Sequence, residues 1–240
     1  MKFEKPSPFI RGKIHLFQPK KGYRFNLDSV LLASFVNITK KGKIIDLGTG
    51  SGILILLLNL KYPDLKYYAV EVQQEFVDIA RENFNLNKVD VELIHENIKN
   101  LKDYLPANSF DYVITNPPYF KEYKGENLNL KIAKSEYLAK ISDFINISKY
   151  LLKDRGKFFA VFPVSRLVEI LNYLKSGKIY PKRLRFIHPT LSENATHFLV
   201  EAVKNAKEGG EIVEKPFIIY KDTSRKIYTD EVEFILEKFC

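Results

Sequence analysis

The chain has 240 residues, 45% of them hydrophobic, which is ordinary for a globular protein and enough for one large α/β domain. Its single cysteine, Cys240, excludes a disulfide framework and a cysteine-based metal site, so an intracellular, cytoplasmic location is expected. The longest apolar run, residues 53–58, is far shorter than the ~20 residues of a membrane span, so no membrane partner is expected.

The formal net charge of +9 is concentrated in the first part of the chain. Residues 1–45 carry ten Lys and Arg against two acidic residues, and aromatic side chains such as Phe9 and Tyr23 lie among them. Interleaved basic and aromatic residues favour a nucleic-acid partner, although a solvated surface with aromatics packed under a sheet is the alternative. We predict that residues 1–42 form a basic segment packed on the core of a domain spanning 43–240, with a single domain overall.

Strand-like and helix-like segments alternate from Lys43 onward, which predicts a sheet covered by helices. The predicted strands are residues 43–47, 66–72, 90–95, 110–115, 157–162, 182–188 and 197–203. The predicted helices are residues 53–61, 75–85, 131–152, 165–174 and 230–239. The last two strands are predicted to form an antiparallel edge of a mixed sheet, and residues 121–129 to form a polar loop.

Three glycines at alternate positions, Gly48, Gly50 and Gly52, connect the first predicted strand to the first helix. Dinucleotide sites carry G-x-G-x-x-G, whereas this loop is G-x-G-x-G with Asp46 two residues ahead and Thr49 inside it. A carboxylate there is unfavourable for a phosphate but suits an ammonium group. The pattern therefore predicts a site for S-adenosylmethionine, and a plain structural turn is the alternative.

Two polar residues follow the next two strands. Glu71 ends the second strand and is placed to accept hydrogen bonds from both ribose hydroxyls, with Val72 beside it. An acidic residue that starts a helix is the alternative for Glu71. Asn97 follows the third strand, where it could bind an adenine amino group or simply form a turn.

The tetrapeptide Asn116-Pro117-Pro118-Tyr119 follows the fourth strand. Asn116 offers a carbonyl acceptor and the prolines lack N–H donors, so the turn presents acceptors with few competing donors. Tyr119, with Phe120 next to it, supplies a flat face. The tetrapeptide predicts a site that holds a planar NH2 group and stacks on the ring that carries it. The four histidines have no metal-ligand spacing, so no metal is expected.

The glycine loop, Glu71 and the tetrapeptide, in this order, resemble the Rossmann-like S-adenosylmethionine-dependent methyltransferases that modify exocyclic or amide NH2 groups. Residues 18–33, residues 183–188 and the motif Tyr228-Thr229-x-Glu231-Val232 resemble the bacterial valine tRNA adenine N6-methyltransferase family over nearly the whole chain. The resemblance implies a class I fold with a mixed seven-stranded sheet and helices on both faces, an RNA substrate, and cofactor contact by the segment around Arg24. Asn97 departs from the aspartate of many relatives.

By this resemblance, Asn116 and the Pro117 carbonyl accept the hydrogens of an adenine N6 amino group, while Pro118, Tyr119 and Phe120 contact the base. A glutamine amide in a protein, guanine N2 in ribosomal RNA and adenine in DNA are alternative substrates. An RNA-binding protein on an inactive methyltransferase fold is the alternative without catalysis. A monomer is favoured. For four basic residues of the second half, a second RNA-binding patch and a solvated edge are both left open as interpretations; they are Lys178, Lys182, Arg183 and Arg185.

Overall fold

The computed structural model describes residues 5–19, 27–118, 138–222, 224 and 227–239. Within them no helix is long and apolar enough to cross a bilayer. The predicted loop 121–129 and most of the basic residues before Leu27 lie outside the described residues.

The strands of the described residues are numbered in chain order. They are β1 Ser7–Phe9, β2 Ile14–Leu16, β3 Lys43–Leu47, β4 Lys66–Glu71, β5 Val91–His95, β6 Phe110–Thr115, β7 Leu152–Pro163, β8 Ile179–His188, β9 His197–Lys204, β10 Ile212–Val213, β11 Phe217–Ile218, β12 Tyr220–Asp222 and β13 Ile227–Tyr228. The helices are α1 Leu27–Phe35, α2 Ile53–Lys61, α3 Gln74–Leu86, α4 Ile141–Leu151, α5 Leu167–Ser176 and α6 Asp230–Lys238. Two 3-10 helices span Ile98–Asp103 and Val164–Arg166.

The central sheet has the order β10-β8-β9-β7-β6-β3-β4-β5, and β11 also pairs with β8. Strands β3 to β7 pair in parallel, and β9 runs antiparallel to both β7 and β8. The seven predicted strands and the mixed sheet are therefore confirmed. The two-residue strands β10 and β11 pair with β8 at the edge of the sheet. They were not predicted, because two residues show no alternating pattern.

Hydrophobic side chains fill both faces of this sheet. In β7, Phe159 and Val161 join one cluster, whereas Phe158, Ala160 and Phe162 join the other. Helices α1 and α2 contribute to the first cluster, and α4 and α5 to the second. Because both faces of the sheet are buried, helices cover both of them, as predicted.

Residues 131–137 of the predicted helix 131–152 lie outside the described residues, and α4 begins only at Ile141. Its first turn is capped by the Asp143 carboxylate, which accepts the backbone N–H of Lys140 at 2.9 Å. Residues 138–140 are not helical, and Leu152 already belongs to β7. The Asp143 carboxylate, three residues after Lys140, therefore sets the start of α4.

Asn83 of α3 and Asn87, the residue directly after this helix, hold the β1–β2 hairpin against the core. Asn83 accepts from the Phe17 N–H at 2.7 Å and donates to the Phe17 and Ser51 carbonyls at 3.1 and 2.8 Å. Asn87 accepts from the His15 N–H at 2.9 Å and donates to the His15 carbonyl at 2.8 Å. The side-chain amides thus supply the donor and acceptor that a neighbouring strand would supply. Asn83 also joins the hairpin to the glycine loop.

Replacing Asn83 with Ala should lower the free energy of unfolding by about 2–3 kcal/mol, because the fully buried Asn83 side chain is the hydrogen-bond partner of three main-chain groups of Phe17 and Ser51. Urea denaturation measures the loss. Asn85→Ala, an exposed change on the same helix, is the matched control and should stay within about 0.5 kcal/mol of wild type. Equal stability of the two variants would contradict this role of Asn83.

Candidate functional site

A cleft opens where the parallel strands β3, β4, β5 and β6 reach their carboxyl ends. Its empty volume, which includes open solvent at the mouth of the cleft, is about 670 Å³. The residues that line it are Gly48, Gly50, Val70, Glu71, Val72, Gln73, Phe76, Glu96, Asn97, Ile98, Asn116, Pro118, Leu138, Ala139 and Phe144. The predicted site residues of four separate loops therefore meet in one place.

The glycine loop leaves β3 through three left-handed residues. Gly48, Gly50 and Gly52 have φ values of +76°, +55° and +83°, a region that glycine enters without steric cost. The N–H groups of Gly48 and Thr49 both donate to the Val70 carbonyl at 2.9 Å, which fastens the loop to the end of β4.

The glycines have different uses. A Cβ on Gly50 would meet no atom within 4 Å, so this residue leaves open space at the cleft. A Cβ on Gly52 would lie 2.5 Å from the Phe84 ring, so Gly52 permits close packing of α3 on the loop. Gly52 is not among the described residues that line the cleft, and its contact with the cofactor stays a prediction.

Glu71 is buried beneath the loop and yet reaches the cleft wall. Its Oε2 accepts from the Gly50 N–H, and its Oε1 accepts from the N–H groups of Val72 and Gln73, all at 2.9 Å. Burial raises the pKa of Glu71 above its ordinary value, although these three hydrogen bonds oppose the rise. A carboxylate oxygen accepts two bonds, so Oε2, with one donor among the described residues, keeps capacity for a ligand hydroxyl.

Asp46 lies below the cleft surface and is fully buried. Its Oδ2 accepts from the Thr49 hydroxyl at 2.7 Å, and its Oδ1 has no hydrogen-bond partner among the described residues. Neither Asp46 nor Thr49 is among the described residues that line the cleft, and their contact with the cofactor stays a prediction. An unpaired buried acceptor below the loop nevertheless favours a ligand that brings a donor or a positive charge.

Asn97 and its neighbour Glu96 form the third wall. Asn97 Oδ1 accepts from the Lys99 N–H at 3.0 Å and so caps the 3-10 helix, the turn role considered as an alternative. The Glu96 carboxylate accepts from the Asn97 N–H at 2.7 Å and from the Tyr104 hydroxyl at 2.8 Å. These bonds, with one from Asn100, lower the pKa of Glu96. Sequence reasoning missed Glu96, whose one signal was its place at the end of a strand.

The tetrapeptide begins where β6 is tied to β3. The Thr115 hydroxyl donates to the Leu47 carbonyl at 2.8 Å. Asn116 follows, partly exposed at the cleft, and its Nδ2 donates to the hydroxyl of Ser29 in α1 at 2.9 Å. Pro117 is buried and Pro118 lines the cleft. Tyr119, Phe120 and Arg24, also predicted for the site, lie outside the described residues.

Two arginines of the considered RNA patch are engaged within the fold. Arg183 pairs with Glu201 and Glu214 at 2.9 Å, and Arg185 pairs with Glu231 at 2.8 Å. Both guanidinium groups also lie over aromatic rings. These contacts favour a structural use of the two arginines over contact with RNA.

Other basic residues lie far from the cleft. Residues 40–43 precede or begin β3, and Lys178 precedes β8, which starts at the same amino edge of the sheet. The cleft is at the opposite, carboxyl edge. Lys40, Lys41 and Lys43 therefore lie away from the cleft.

The described cleft lining contains two carboxylates, Glu71 and Glu96, and no Lys, Arg or His. The described residues also contain no cluster of His, Cys, Asp and Glu that would hold a metal ion. With the open space at Gly50 and the unpaired oxygen of Asp46, this lining suits a positively charged ligand without phosphate. S-adenosylmethionine, which carries a sulfonium and an ammonium group, has that chemistry.

Burial raises the pKa of Asp46 from 3.8 to about 7, with the nearby Glu71 adding to the rise and the Thr49 hydroxyl opposing it. Between these values the folded carboxyl keeps a proton that the unfolded one releases. Asp46 should therefore lower the free energy of unfolding as the pH rises from about 4 to 7, and no further above 7. Urea unfolding of wild type and Asp46→Asn from pH 4 to 8 tests this.

Across that pH range, the free energy of unfolding of wild type should fall relative to that of Asp46→Asn. Asp64→Asn, an exposed carboxylate paired with Lys41, is the control for the substitution itself. Parallel stability curves for wild type and Asp46→Asn would show that Asp46 does not titrate in this way.

The chain is similar to curated enzymes along most of its length. It is 27% identical to the tRNA1(Val) (adenine(37)-N6)-methyltransferase of Aliivibrio salmonicida, over 75% of this chain and 77% of the relative. It is 24% identical to the enzyme of that name from Flavobacterium johnsoniae, over 92% of this chain and 94% of the relative.

Solved structures with the same fold include a predicted O-methyltransferase from Agrobacterium tumefaciens, with a TM-score of 0.70 and 22% identity over 87% of this chain and 94% of that one. A methyltransferase from Pyrococcus furiosus has a TM-score of 0.60 and 20% identity over 80% and 90% of the two chains. The model of the methyltransferase small domain matches residues 23–166, more than half of the chain. The chain therefore belongs to the methyltransferase small domain family and is an S-adenosylmethionine-dependent methyltransferase.

Proposed function

We propose that this enzyme methylates the N6 amino group of an adenine in tRNA, at the anticodon-loop position named in its relatives. The observation that carries the proposal is Asn116, which lies at the cleft wall directly after β6 with its amide nitrogen already bound. The names of the relatives support RNA over a protein amide as the substrate. The positions of the basic residues that the structure describes do not by themselves distinguish RNA from a protein amide as the substrate.

The cofactor would be held by residues that line the cleft. Gly48 and Gly50 would leave room for the methionine part, Glu71 would accept hydrogen bonds from the ribose, and Val72 and Asn97 would contact the adenine; all five residues line the cleft. When bound, S-adenosylmethionine supplies a methyl group that is open to attack by a nucleophile.

The acceptor nitrogen needs help because its lone pair is delocalised into the adenine ring. Asn116 Oδ1 and the Pro117 carbonyl would each accept one hydrogen of the amino group, which moves the nitrogen toward tetrahedral geometry and frees the lone pair. The same acceptors stabilise the positive charge that develops on nitrogen. The nitrogen then loses one proton to water, so no strong general base is required. Most of the acceleration comes from the relative positioning of the two reactants.

Replacing Asn116 with Ala should lower the rate of methyl transfer by about 10²–10³-fold, since one acceptor aimed at the developing charge is lost. The affinity for S-adenosylmethionine should stay near the wild-type value. The measurement is transfer of labelled methyl groups into total tRNA, ribosomal RNA and protein, followed by nucleoside mass spectrometry. Asn172→Ala, an exposed change on α5, is the matched control.

N6-methyladenosine in tRNA is the expected product. Label confined to protein would replace the proposal with glutamine methylation, and substantial turnover by Asn116→Ala would remove Asn116 from the mechanism.

Two glycine substitutions should separate cofactor binding from folding. Gly50→Ala places a methyl group in open space at the cleft and costs about 1–2 kcal/mol of stability for its left-handed backbone. It should weaken cofactor binding about tenfold or more, because close approach to the loop is lost.

Gly52→Ala, which meets Phe84, should instead cost about 2–4 kcal/mol of stability. Calorimetric titration and urea denaturation of both variants provide the two measurements. A Gly50→Ala variant that binds the cofactor as wild type does would place the cofactor elsewhere.

A further inference from the structure

Ser29 is the residue that meets the predicted catalytic amide from the other side. It lies in the first turn of α1, 87 residues before Asn116 in sequence, and its Oγ accepts from Asn116 Nδ2 at 2.9 Å. Ser29 is 4% exposed, so water does not compete freely for this bond. No role was predicted for it from the sequence.

A side-chain amide has two ends that are similar in shape and opposite in chemistry. Its oxygen only accepts hydrogen bonds, and its nitrogen only donates them. If the Asn116 amide turned by half a rotation, it would point N–H groups at the N–H groups of an adenine amino group. An enzyme that uses the oxygen must therefore fix the orientation of the amide before substrate arrives.

The bond to Ser29 joins two rigid parts of the molecule. The residues that follow Ser29 in α1, Val30 to Ala33, are at most 1% exposed and belong to the main hydrophobic cluster. On the other side, Thr115 ties the end of β6 to β3 immediately before Asn116. Because neither backbone moves freely, the bond to the Ser29 hydroxyl holds the amide in the orientation in which its nitrogen faces α1.

We propose that Ser29 is a positioning residue, which holds Asn116 so that Oδ1 is turned to the acceptor amino group; this rests on the proposed function of Asn116. The segment before the glycine loop thereby contributes to the chemistry as well as to the core. Ser29 itself touches neither the substrate nor the cofactor in this role.

The test compares four variants with an unmodified valine tRNA transcript as substrate. Ser29→Ala removes the hydroxyl, Ser29→Cys keeps the volume with a weak hydrogen-bonding group, and Ser29→Thr keeps the hydroxyl. Ser34→Ala is the matched control, because the Ser34 hydroxyl on the same helix donates only to the Leu31 carbonyl among the described residues. Thermal unfolding and calorimetry establish folding and cofactor affinity for each variant.

We expect kcat to fall about 5- to 10-fold in Ser29→Ala and Ser29→Cys, the effect of one neutral hydrogen bond. The KM and Kd for S-adenosylmethionine should stay unchanged, and Ser29→Thr and Ser34→Ala should keep nearly wild-type kcat. Wild-type kcat in Ser29→Ala or Ser29→Cys would overturn the proposal. So would a loss of stability or cofactor affinity that accounts for the fall in kcat.

A second measurement is independent of the substrate. The side-chain amide resonance of Asn116, assigned from its absence in Asn116→Asp, should show restricted rotation in wild type and Ser34→Ala and free rotation in Ser29→Ala. If no RNA is methylated by the wild type, the proposed function fails, and this resonance still decides whether Ser29 holds the amide. Unchanged rotation in Ser29→Ala would overturn the positioning role whatever the substrate.

Discussion

The carboxylate of Glu71 organises the methyltransferase cleft. It is buried at the end of β4 and accepts three main-chain N–H groups, one from Gly50 and two from the turn that begins α3. One side chain thus fixes the distance between two walls of the cleft. Its burial raises the proton affinity of the group, and the three donors compensate by stabilising the charged form. These three hydrogen bonds hold the glycine loop against the start of α3.

The sequence predicted the central sheet well because its strands are apolar, short and separated by clear turns. β3 and β6 were predicted with their observed bounds. Two helices differ from the prediction. The Asp143 carboxylate caps the first turn of α4, which begins at Ile141, and α1 was not predicted as a helix. Local pattern carries no information about contacts made across 66 or 87 residues, which is why Asn83 and Ser29 were missed.

The predicted site residues lie in two layers. Gly48, Gly50, Glu71, Val72, Asn97, Asn116 and Pro118 line one cleft, as motif order and strand ends indicated. The same motif contains residues that support the loop from beneath. Asp46 with Thr49, and Gly52 with Phe84, belong to that lower layer. The motif alone does not show which residues line the cleft and which support the loop, because both groups are small or acidic residues at fixed spacing.

The link from Asn83 to both Phe17 and Ser51 has a consequence for synthesis on the ribosome. The β1–β2 hairpin emerges early, but the amides that replace its missing neighbour strand follow some 66 residues later in the case of Asn83 and 72 in the case of Asn87. Until α3 has formed, the edge of the hairpin has unpaired donors and acceptors. The hairpin therefore docks only after α3 has been synthesised, and the bond from Asn83 to Ser51 ties the glycine loop to the same docking site.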